Sequence, residues 1–166
     1  MTADNIKNDR FWMHYAYKLA KRAQMEKEIP VGAVLISAEN TYLGRGWNQV
    51  LQKNNPCAHA EIIAIQQASL RLNNYRLTDT TIYVTLEPCP MCAGALVNAR
   101  VKRLVFATRD FNTGAAGSVY NLLHGYPLNH QIKIDEGIMG ADCAQLLLDF
   151  FKMKRIPALR DPLIFC

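Results

Sequence analysis

Two cysteines and a histidine occupy places in the sequence that suit metal ligands. Cys89 and Cys92 stand three residues apart in Pro88-Cys89-Pro90-Met91-Cys92. Proline is favoured in the first turn of a helix, so the sequence predicts Cys89 near a helix N-cap and Cys92 in the first turn. The free backbone N–H groups and the dipole of a helix start favour thiolates, which are soft ligands for zinc. The two cysteines therefore form half of a candidate zinc site.

A third ligand must be a histidine or a carboxylate, and His59 is the best placed of the four histidines. It stands where a polar loop enters a predicted helix, two residues before Glu61. That spacing puts the two side chains about 200° apart on a regular helix, but at a helix start both can reach one pocket. Three protein ligands leave a fourth position for water, as in catalytic zinc sites. A carboxylate beside that water is suited to proton transfer, and we expect Glu61 to have this role.

Other interpretations of the cysteine pair remain open at this point. A Cys-x-x-Cys pair is also found in redox dithiols, in structural zinc sites and in packed cores. A structural zinc would need a fourth protein ligand, for which His124 and His130 are candidates, and Glu61 would then have no role. The combination of all four residues at helix starts favours the catalytic site.

Length and composition indicate a single globular domain. The chain has 166 residues, of which 50% are hydrophobic and 20% charged, and we expect one domain over residues 1–166, with a core of about 11–155 and a tail at 156–166. The net charge of +5 suits a polyanionic partner without proving one. The first ten residues are polar and no apolar run is long enough to span a membrane, so we expect a cytoplasmic protein with no membrane partner. A disulfide framework is not expected from five cysteines in a chain of this size.

The pattern of apolar residues predicts strands alternating with helices. The first helix would be capped by Asn8 or Asp9, and the last by Asp142. The apolar run at 80–86 is typical of a strand that is covered on both faces. This order favours a mixed sheet with helices on both faces. The predicted elements are a helix to about residue 25, a hairpin at 32–37 and 41–47, a loop at 48–56, a helix at 58–72, a strand at 80–86, a helix at 91–99, a strand at 101–107, a loop at 111–118, a strand at 131–138, a helix to 153 and an extended tail at 157–166.

The motif around His59 and Glu61, together with Pro88-Cys89-Pro90-Met91-Cys92, resembles the signature of the zinc-dependent cytidine and deoxycytidylate deaminase superfamily. Further stretches resemble the branch of that superfamily that acts on adenosine in bacterial tRNA. These stretches are residues 30–34, 46–48, 58–62, 83–89, 91–95, 109–110, 113–118 and 149–151. The resemblance runs from about residue 11 to residue 155. The tail is more apolar than the tails of that family, and Cys57 stands where a serine or threonine is usual.

The resemblance implies a fold and an activity. The fold would be α/β, a three-layer α/β/α cytidine-deaminase-like arrangement with a mixed five-stranded sheet. One Zn²⁺ per subunit would be held by His59, Cys89 and Cys92, with Glu61 as the catalytic proton carrier. The reaction would be hydrolytic deamination of adenosine to inosine at wobble position 34 of tRNA, by a homodimer that binds the anticodon stem-loop. The same motifs also allow deamination of a free base or nucleoside, such as guanine, cytosine or cytidine.

The resemblance also implies residues that contact the substrate. Asn48 resembles a base-contacting asparagine, with a simple turn residue as the alternative. Asp110 resembles a residue of the loop that lines the nucleic-acid channel, where it would accept a hydrogen bond from a 2′-OH, and the alternative is a carboxylate that caps its own loop.

Apolar and basic side chains complete the expected substrate site. Ile29, Val31 and Leu86 would form walls around a flipped base or would simply pack in the core. Phe151 would stack on a splayed base and Arg155 would meet a phosphate. One phenylalanine of the pair at 150–151 is expected in the core, and a solvated basic face is the alternative interpretation of the charges.

Overall fold

The structure, a computed structural model, describes residues 3–124 and 128–155. Within these residues the chain forms five helices and five strands. The elements in chain order are α1 (Ala3–Met25), β1 (Gly32–Ile36), β2 (Tyr42–Trp47), α2 (Val50–Lys53), α3 (Ala60–Leu72), β3 (Thr81–Leu86), α4 (Pro90–Asn98), β4 (Arg103–Thr108), β5 (Lys133–Glu136) and α5 (Gly140–Arg155).

The five strands form one mixed sheet in the order β2-β1-β3-β4-β5. Strand β1 is antiparallel to both of its neighbours, whereas β3, β4 and β5 run parallel to one another. Helices α1 and α5 pack on one face of the sheet, and α3 and α4 pack on the other. The predicted three-layer α/β/α architecture with a five-stranded sheet is confirmed.

The central strands β3 and β4 are buried on both faces, as their continuous apolar runs predict. Ile82 packs in the core beneath α3 and α4, whereas the next residue, Tyr83, packs beneath α1 and α5. Because β3 and β4 are parallel, Leu86 and Thr108 end at the same edge of the sheet. The turn to Cys89 and the loop with Asp110 therefore begin side by side, at the carboxyl ends of parallel strands, where ligands usually bind.

Helix α3 lies directly on strand β2, and this contact requires glycine at position 46. A Cβ atom at Gly46 would stand 2.1 Å from the carbonyl oxygen of Ala60. Real Cβ atoms do not approach a backbone oxygen so closely, so any side chain would displace the first turn of α3. That turn follows His59 and contains Glu61.

The prediction that Asn8 or Asp9 caps α1 is wrong. The helix begins at Ala3, and Asp9 lies inside it with 1% of its surface exposed. Its carboxylate accepts hydrogen bonds from Arg103 at 2.7 and 2.8 Å and from the Tyr83 hydroxyl at 2.7 Å. A short polar residue before an apolar stripe suggests a cap, but here its partners are far away in the sequence.

Other boundaries also differ from the predicted ones. Helix α2 lies within the predicted loop at 48–56, and its four residues are too few to show a period. Helix α5 begins at Gly140, so Asp142 lies in its first turn and does not cap it. Strand β5 covers Lys133–Glu136, less than the predicted 131–138. The extended tail predicted at 157–166 lies outside the described residues.

None of the helices in the described part of the chain combines the length and the apolarity needed to cross a lipid bilayer.

Candidate metal centre and substrate cavity

Two helix starts bring the candidate metal ligands together. His59 is the N-cap of α3 and Cys89 is the N-cap of α4, both with extended backbone. Pro90 occupies the first position of α4 and Cys92 its first turn. The predicted positions of both cysteines at a helix start are confirmed.

The three ligand atoms have the spacing that zinc requires. The Nδ1 atom of His59 lies 3.7 Å from the Sγ atom of Cys89 and 3.6 Å from the Sγ atom of Cys92. Tetrahedral zinc with ordinary bond lengths to sulfur and nitrogen separates these two atom types by about 3.6 Å. The three side chains therefore fit one zinc ion.

The described residues offer no fourth protein ligand at this place. Among the described residues, the one group of three or more metal-ligand atoms within 4.8 Å of one another comes from His59, Cys89 and Cys92. The ring of His130 is hydrogen-bonded to the carbonyl oxygen of Val101 at 2.7 Å, and His124 is exposed. Three protein ligands are the arrangement of catalytic zinc, whereas structural zinc has four.

The two thiols differ in their acidity. Hydrogen bonds from Cys92 and with His59 together lower the pKa of Cys89 to about 4, against the opposing effect of burial. The hydrogen bond between the two cysteine side chains raises the pKa of the Cys92 thiol, and burial raises it too. Cys89 is therefore a thiolate at neutral pH, which is the form that binds metals. Metal binding at Cys92 releases a proton.

Glu61 is buried beside the ligands. Only 3% of its surface is exposed, and it lines the same cavity as His59 and Cys89. Burial raises the pKa of Glu61 to about 7, although its own backbone hydrogen bond and the charge at His59 act in the opposite direction. A carboxyl group with a pKa near neutrality is suited both to accept and to donate a proton.

The ligands face a cavity of about 490 Å³, which lies within the range of about 300–1,000 Å³ typical of ligand pockets. Buried side chains form its floor and exposed ones its rim, among them Ile29 and Phe151, each 42% exposed. Cys92 is fully buried and does not itself line the cavity. Arg155 is exposed at the end of α5 and does not line the cavity. The expected site residues that do line it are Ile29, Val31, Asn48, His59, Glu61, Leu86, Cys89, Asp110 and Phe151.

Asn48 and Asp110 are held by hydrogen bonds at the cavity wall. The Oδ1 atom of Asn48 accepts the backbone N–H of Ala60 at 3.0 Å, so its amide nitrogen is the group available to a substrate. The carboxylate of Asp110 accepts the N–H groups of Asn112 and Thr113 at 2.9 and 3.2 Å and the Thr113 hydroxyl at 2.7 Å. Asp110 thus caps its own loop while it lines the cavity.

Glu87 is a cavity residue that sequence reasoning missed. It is 2% exposed, and its carboxylate accepts the backbone N–H groups of Asp110 at 3.0 Å, Ala116 at 2.9 Å and Ser118 at 3.1 Å, and also the Ser118 hydroxyl. A Cβ atom at Gly114 would lie 2.5 Å from this carboxylate. Glu87 therefore holds the loop at 109–118 against the turn of Cys89. The signal in the sequence is an acidic residue between an apolar strand and a metal ligand.

Further cavity residues come from segments without a clear sequence signal. Glu28 is 2% exposed, and its Oε1 atom accepts the backbone N–H of Gln52 at 2.9 Å. This bond fixes α2, whose residues Val50 and Leu51 line the cavity. The cavity is also lined by Lys27, Thr113, Phe150 and Lys154.

Comparisons with known proteins agree with this geometry. Residues 6–108 match the profile of the cytidine and deoxycytidylate deaminase zinc-binding region. The chain is 45% identical over 147 residues to a tRNA-specific adenosine deaminase of Haemophilus influenzae, an alignment that covers 89% of this chain and 85% of the relative.

Solved structures show the same fold. A structure from studies of A-to-I editing by tRNA:A34 deaminases at the wobble position of transfer RNA superposes with a TM-score of 0.80 and 34% identity, and covers 82% of this chain and 99% of its own. A guanine deaminase from Nitrosomonas europaea has a TM-score of 0.73 at 23% identity, over 85% of this chain and 83% of its own, and shares the fold.

Proposed function

Because the chain belongs to the cytidine and deoxycytidylate deaminase zinc-binding family, we propose that it catalyses the hydrolytic deamination of adenosine to inosine at wobble position 34 of tRNA. The observation that carries the proposal is the placement of Glu61 beside three zinc ligands in a cavity large enough for a base. The tRNA specificity is supported by the 45% identity to a tRNA-specific adenosine deaminase over most of the chain.

His59, Cys89 and Cys92 would hold the zinc ion. When bound, Zn²⁺ makes a water molecule acidic, toward a pKa of about 7. The fit rests on the Nδ1–Sγ distances of 3.7 and 3.6 Å and on the thiolate character of Cys89.

Glu61 would carry protons between the attacking water and the base. Its carboxylate accepts a proton from the water that adds at C6 of adenine, and delivers it to N1. It then transfers the second proton of that water to N6, so that ammonia leaves and inosine forms. The position of Glu61 on the cavity floor and its pKa of about 7 suit both steps.

The walls of the cavity would hold the base in place. The amide nitrogen of Asn48 donates a hydrogen bond to the base, because its oxygen is already bonded to Ala60. Ile29, Val31 and Leu86 contact the faces of a base that is flipped out of the anticodon loop, and exclude water from it.

RNA contacts would extend beyond the cavity. The exposed ring of Phe151 stacks on a neighbouring base, and Arg155 at the end of α5 meets a phosphate. Asp110 uses three acceptor positions within its own loop, and a carboxylate has about four, so one remains for a ribose 2′-OH.

We also propose that the protein works in the cytoplasm as a homodimer with one zinc ion per subunit, and that it binds the anticodon stem-loop. The net charge of +5 supports the RNA partner. The resemblance to the tRNA branch of the family supports the dimer and the compartment.

The test is a deamination assay with zinc-loaded protein. The substrates are a tRNA with adenosine at the wobble position, free adenosine, cytidine, cytosine and guanine. We expect inosine in the tRNA alone. Glu61→Ala removes the proton carrier but no metal ligand, so it should abolish turnover while metal analysis still finds zinc, whereas Cys89→Ala should lose zinc as well. Glu39→Ala, in an exposed turn, is the matched control.

Two results would contradict the proposal. Turnover by the Glu61→Ala variant would remove Glu61 from the mechanism. Turnover of a free base or nucleoside but not of the tRNA would support the zinc mechanism and show that the substrate is a small molecule.

A further inference from the structure

A second groove continues from the substrate cavity. Its volume is about 240 Å³, and it shares Lys27, Phe150 and Lys154 with the cavity, while Gln24 and Met153 complete its walls. It runs between the end of α1 and the last turns of α5. The described residues that line it include two lysines and no carboxylate.

Lys27 has an unusual backbone conformation. It lies two residues after the end of α1 and adopts the left-handed conformation, with φ of 64°. Its N–H donates to the carbonyl of Gln24 at 3.0 Å, and the N–H of Glu28 donates to the carbonyl of Ala23 at 2.9 Å. This is the Schellman arrangement, in which glycine is the usual residue at the left-handed position. A lysine there is less favourable than glycine, because its Cβ atom crowds the backbone.

The same arrangement ends α4, where it provides a matched comparison. Arg100 has φ of 58°, its N–H donates to Val97, and the N–H of Val101 donates to Leu96. Asn54 and Asn73, which end α2 and α3, are of the residue type that best tolerates this conformation after glycine. Arg100 follows the end of α4 opposite to Cys89, whereas Lys27 lines the cavity.

Lys154 places a second cation on the groove. Its Nζ atom lies 5.4 Å from the centroid of the Phe150 ring, within the range of a cation–π interaction. The Phe150 ring is itself 5% exposed and packs edge-on against Phe151 at 5.4 Å. The ammonium group of Lys154 therefore lies over a ring that is fixed by packing.

We propose that the groove formed by Gln24, Lys27, Phe150, Met153 and Lys154 is a subsite for the nucleotide next to the target adenosine, with the phosphate that joins them held between Lys27 and Lys154. This inference rests on the proposed function, because it requires an RNA substrate. When a base enters a closed cavity, its backbone stays at the rim and carries a negative charge there. A lysine at the left-handed position supplies a cation at that rim, which glycine cannot do.

The test compares Lys27→Gly with Arg100→Gly. Each variant removes one positive charge and puts glycine at a left-handed helix end, so each should raise the melting temperature by about 2–4 °C. Binding of a fluorescent anticodon stem-loop is measured by anisotropy at several salt concentrations, in the Glu61→Gln background to prevent turnover. We expect Lys27→Gly to weaken binding about fivefold and to reduce the salt slope by about 0.7, the value for one phosphate contact on a single strand. Arg100→Gly should leave both unchanged.

Two further variants sharpen the comparison. Lys27→Arg keeps the charge and should keep the affinity. Lys154→Met should weaken binding of the stem-loop by a factor similar to that of Lys27→Gly. The affinity of the double variant should fall by less than the product of the two factors, because both lysines hold the same phosphate.

The subsite is overturned if Lys27→Gly binds the stem-loop as tightly as the unsubstituted chain, or if Arg100→Gly loses as much affinity. The first result would show that Lys27 does not contact RNA, and the second that only total charge matters. Failure of the unsubstituted, zinc-loaded protein to convert adenosine in tRNA would instead refute the proposed function, so the two failures are distinguishable.

Discussion

Glu87 lies between a zinc ligand and the loop that forms one wall of the cavity. Its carboxylate accepts four hydrogen bonds from three residues of the loop at 109–118. Cys89 follows Glu87 by two residues, and the carbonyl oxygen of the intervening Pro88 accepts the backbone N–H of Ala115 at 2.8 Å. Glu87 is therefore a positioning residue, which fixes the wall that carries Asp110 without itself carrying a proton in the reaction.

Replacing Glu87 by glutamine tests this role. The amide oxygen can still accept, but the amide nitrogen would face backbone N–H donors, which leaves buried groups unpaired. We expect a loss of about 1–3 kcal/mol in the free energy of unfolding by urea denaturation. The KM for tRNA should rise more than kcat falls, because Glu61 and the metal ligands are unchanged. Unaltered stability and KM would contradict the role, and Glu39→Gln is the exposed control.

The sequence predicts the metal ligands, but it does not predict the hydrogen bonds by which Glu87 holds the neighbouring loop. His59 and the two cysteines lie in short motifs that also mark helix starts, so local information suffices to place them. The donors to Glu87 come from residues 23–31 positions later in the chain. No local pattern links such groups, so their pairing appears only in the folded structure.

At the scale of elements, the contact between β2 and α3 controls the orientation of one metal ligand. We expect Gly46→Ala to displace the first turn of α3, because its Cβ atom would meet the Ala60 carbonyl oxygen at 2.1 Å. The expected result is a lower melting temperature, together with reduced zinc content after dialysis, because His59 is the N-cap of that helix.

Gly94→Ala is the matched control for this prediction. A Cβ atom at Gly94 would lie more than 4 Å from any neighbouring group in the part of the chain that the structure describes, and the residue lies inside α4. Alanine should therefore stabilise the protein by up to about 1 kcal/mol and leave zinc content unchanged. Full zinc content in the Gly46→Ala protein would show that the start of α3 adapts to the added methyl group.

Element types were predictable where a periodic or continuous apolar pattern extends over many residues. The central strands and α3 follow such patterns. Helix α2 has only four residues, which is too few to show a periodic pattern of apolar residues. A hydrogen bond from the backbone N–H of Gln52 to the distant Glu28 holds this helix in place. The end of α1 near residue 25 was predicted correctly, but the left-handed conformation of Lys27 was not, because lysine, unlike glycine, is not typical of that conformation.

At the scale of the whole molecule, Asp9 and Arg103 connect helix α1 to the sheet. Arg103 is bound by Asp9 of α1 and by Asp135 of β5, and Asp9 also accepts the hydroxyl of Tyr83 in β3. Burial raises the pKa of Asp9, but the hydrogen bonds from Arg103 and Tyr83 and the charge of Arg103 outweigh it, so the pKa of Asp9 lies below the ordinary 3.8. The charged form of Asp9 therefore stabilises the fold.

Asp9→Asn should lower the free energy of unfolding by about 2–3 kcal/mol near neutral pH, because it leaves Arg103 without its buried partner. The contribution of a carboxylate with a lowered pKa is complete above its unfolded pKa and is lost as the pH falls through its folded pKa. The difference in the free energy of unfolding between the Asp9→Asn protein and the unsubstituted chain should thus be constant above pH 3.8 and shrink below it. Denaturant unfolding between pH of about 6 and about 3 measures this.

The control for Asp9→Asn is Asp79→Asn, which breaks the exposed pair with Lys102. It should change stability by no more than about 1 kcal/mol. The Asp9→Asn protein and the unsubstituted chain could also differ in their free energy of unfolding by an amount that does not depend on pH. That result would show that the Asp9 carboxylate is not the group that titrates.

The direction of α1 has a practical consequence for anything joined to this protein. The helix has 23 residues and is therefore about 34 Å long, and Lys27 at the cavity follows its last turn. A fluorophore, an affinity tag or a fused domain attached ahead of α1 would therefore stand well away from incoming substrate. The same attachment made directly after α5 would begin two residues beyond Lys154, which lines the cavity.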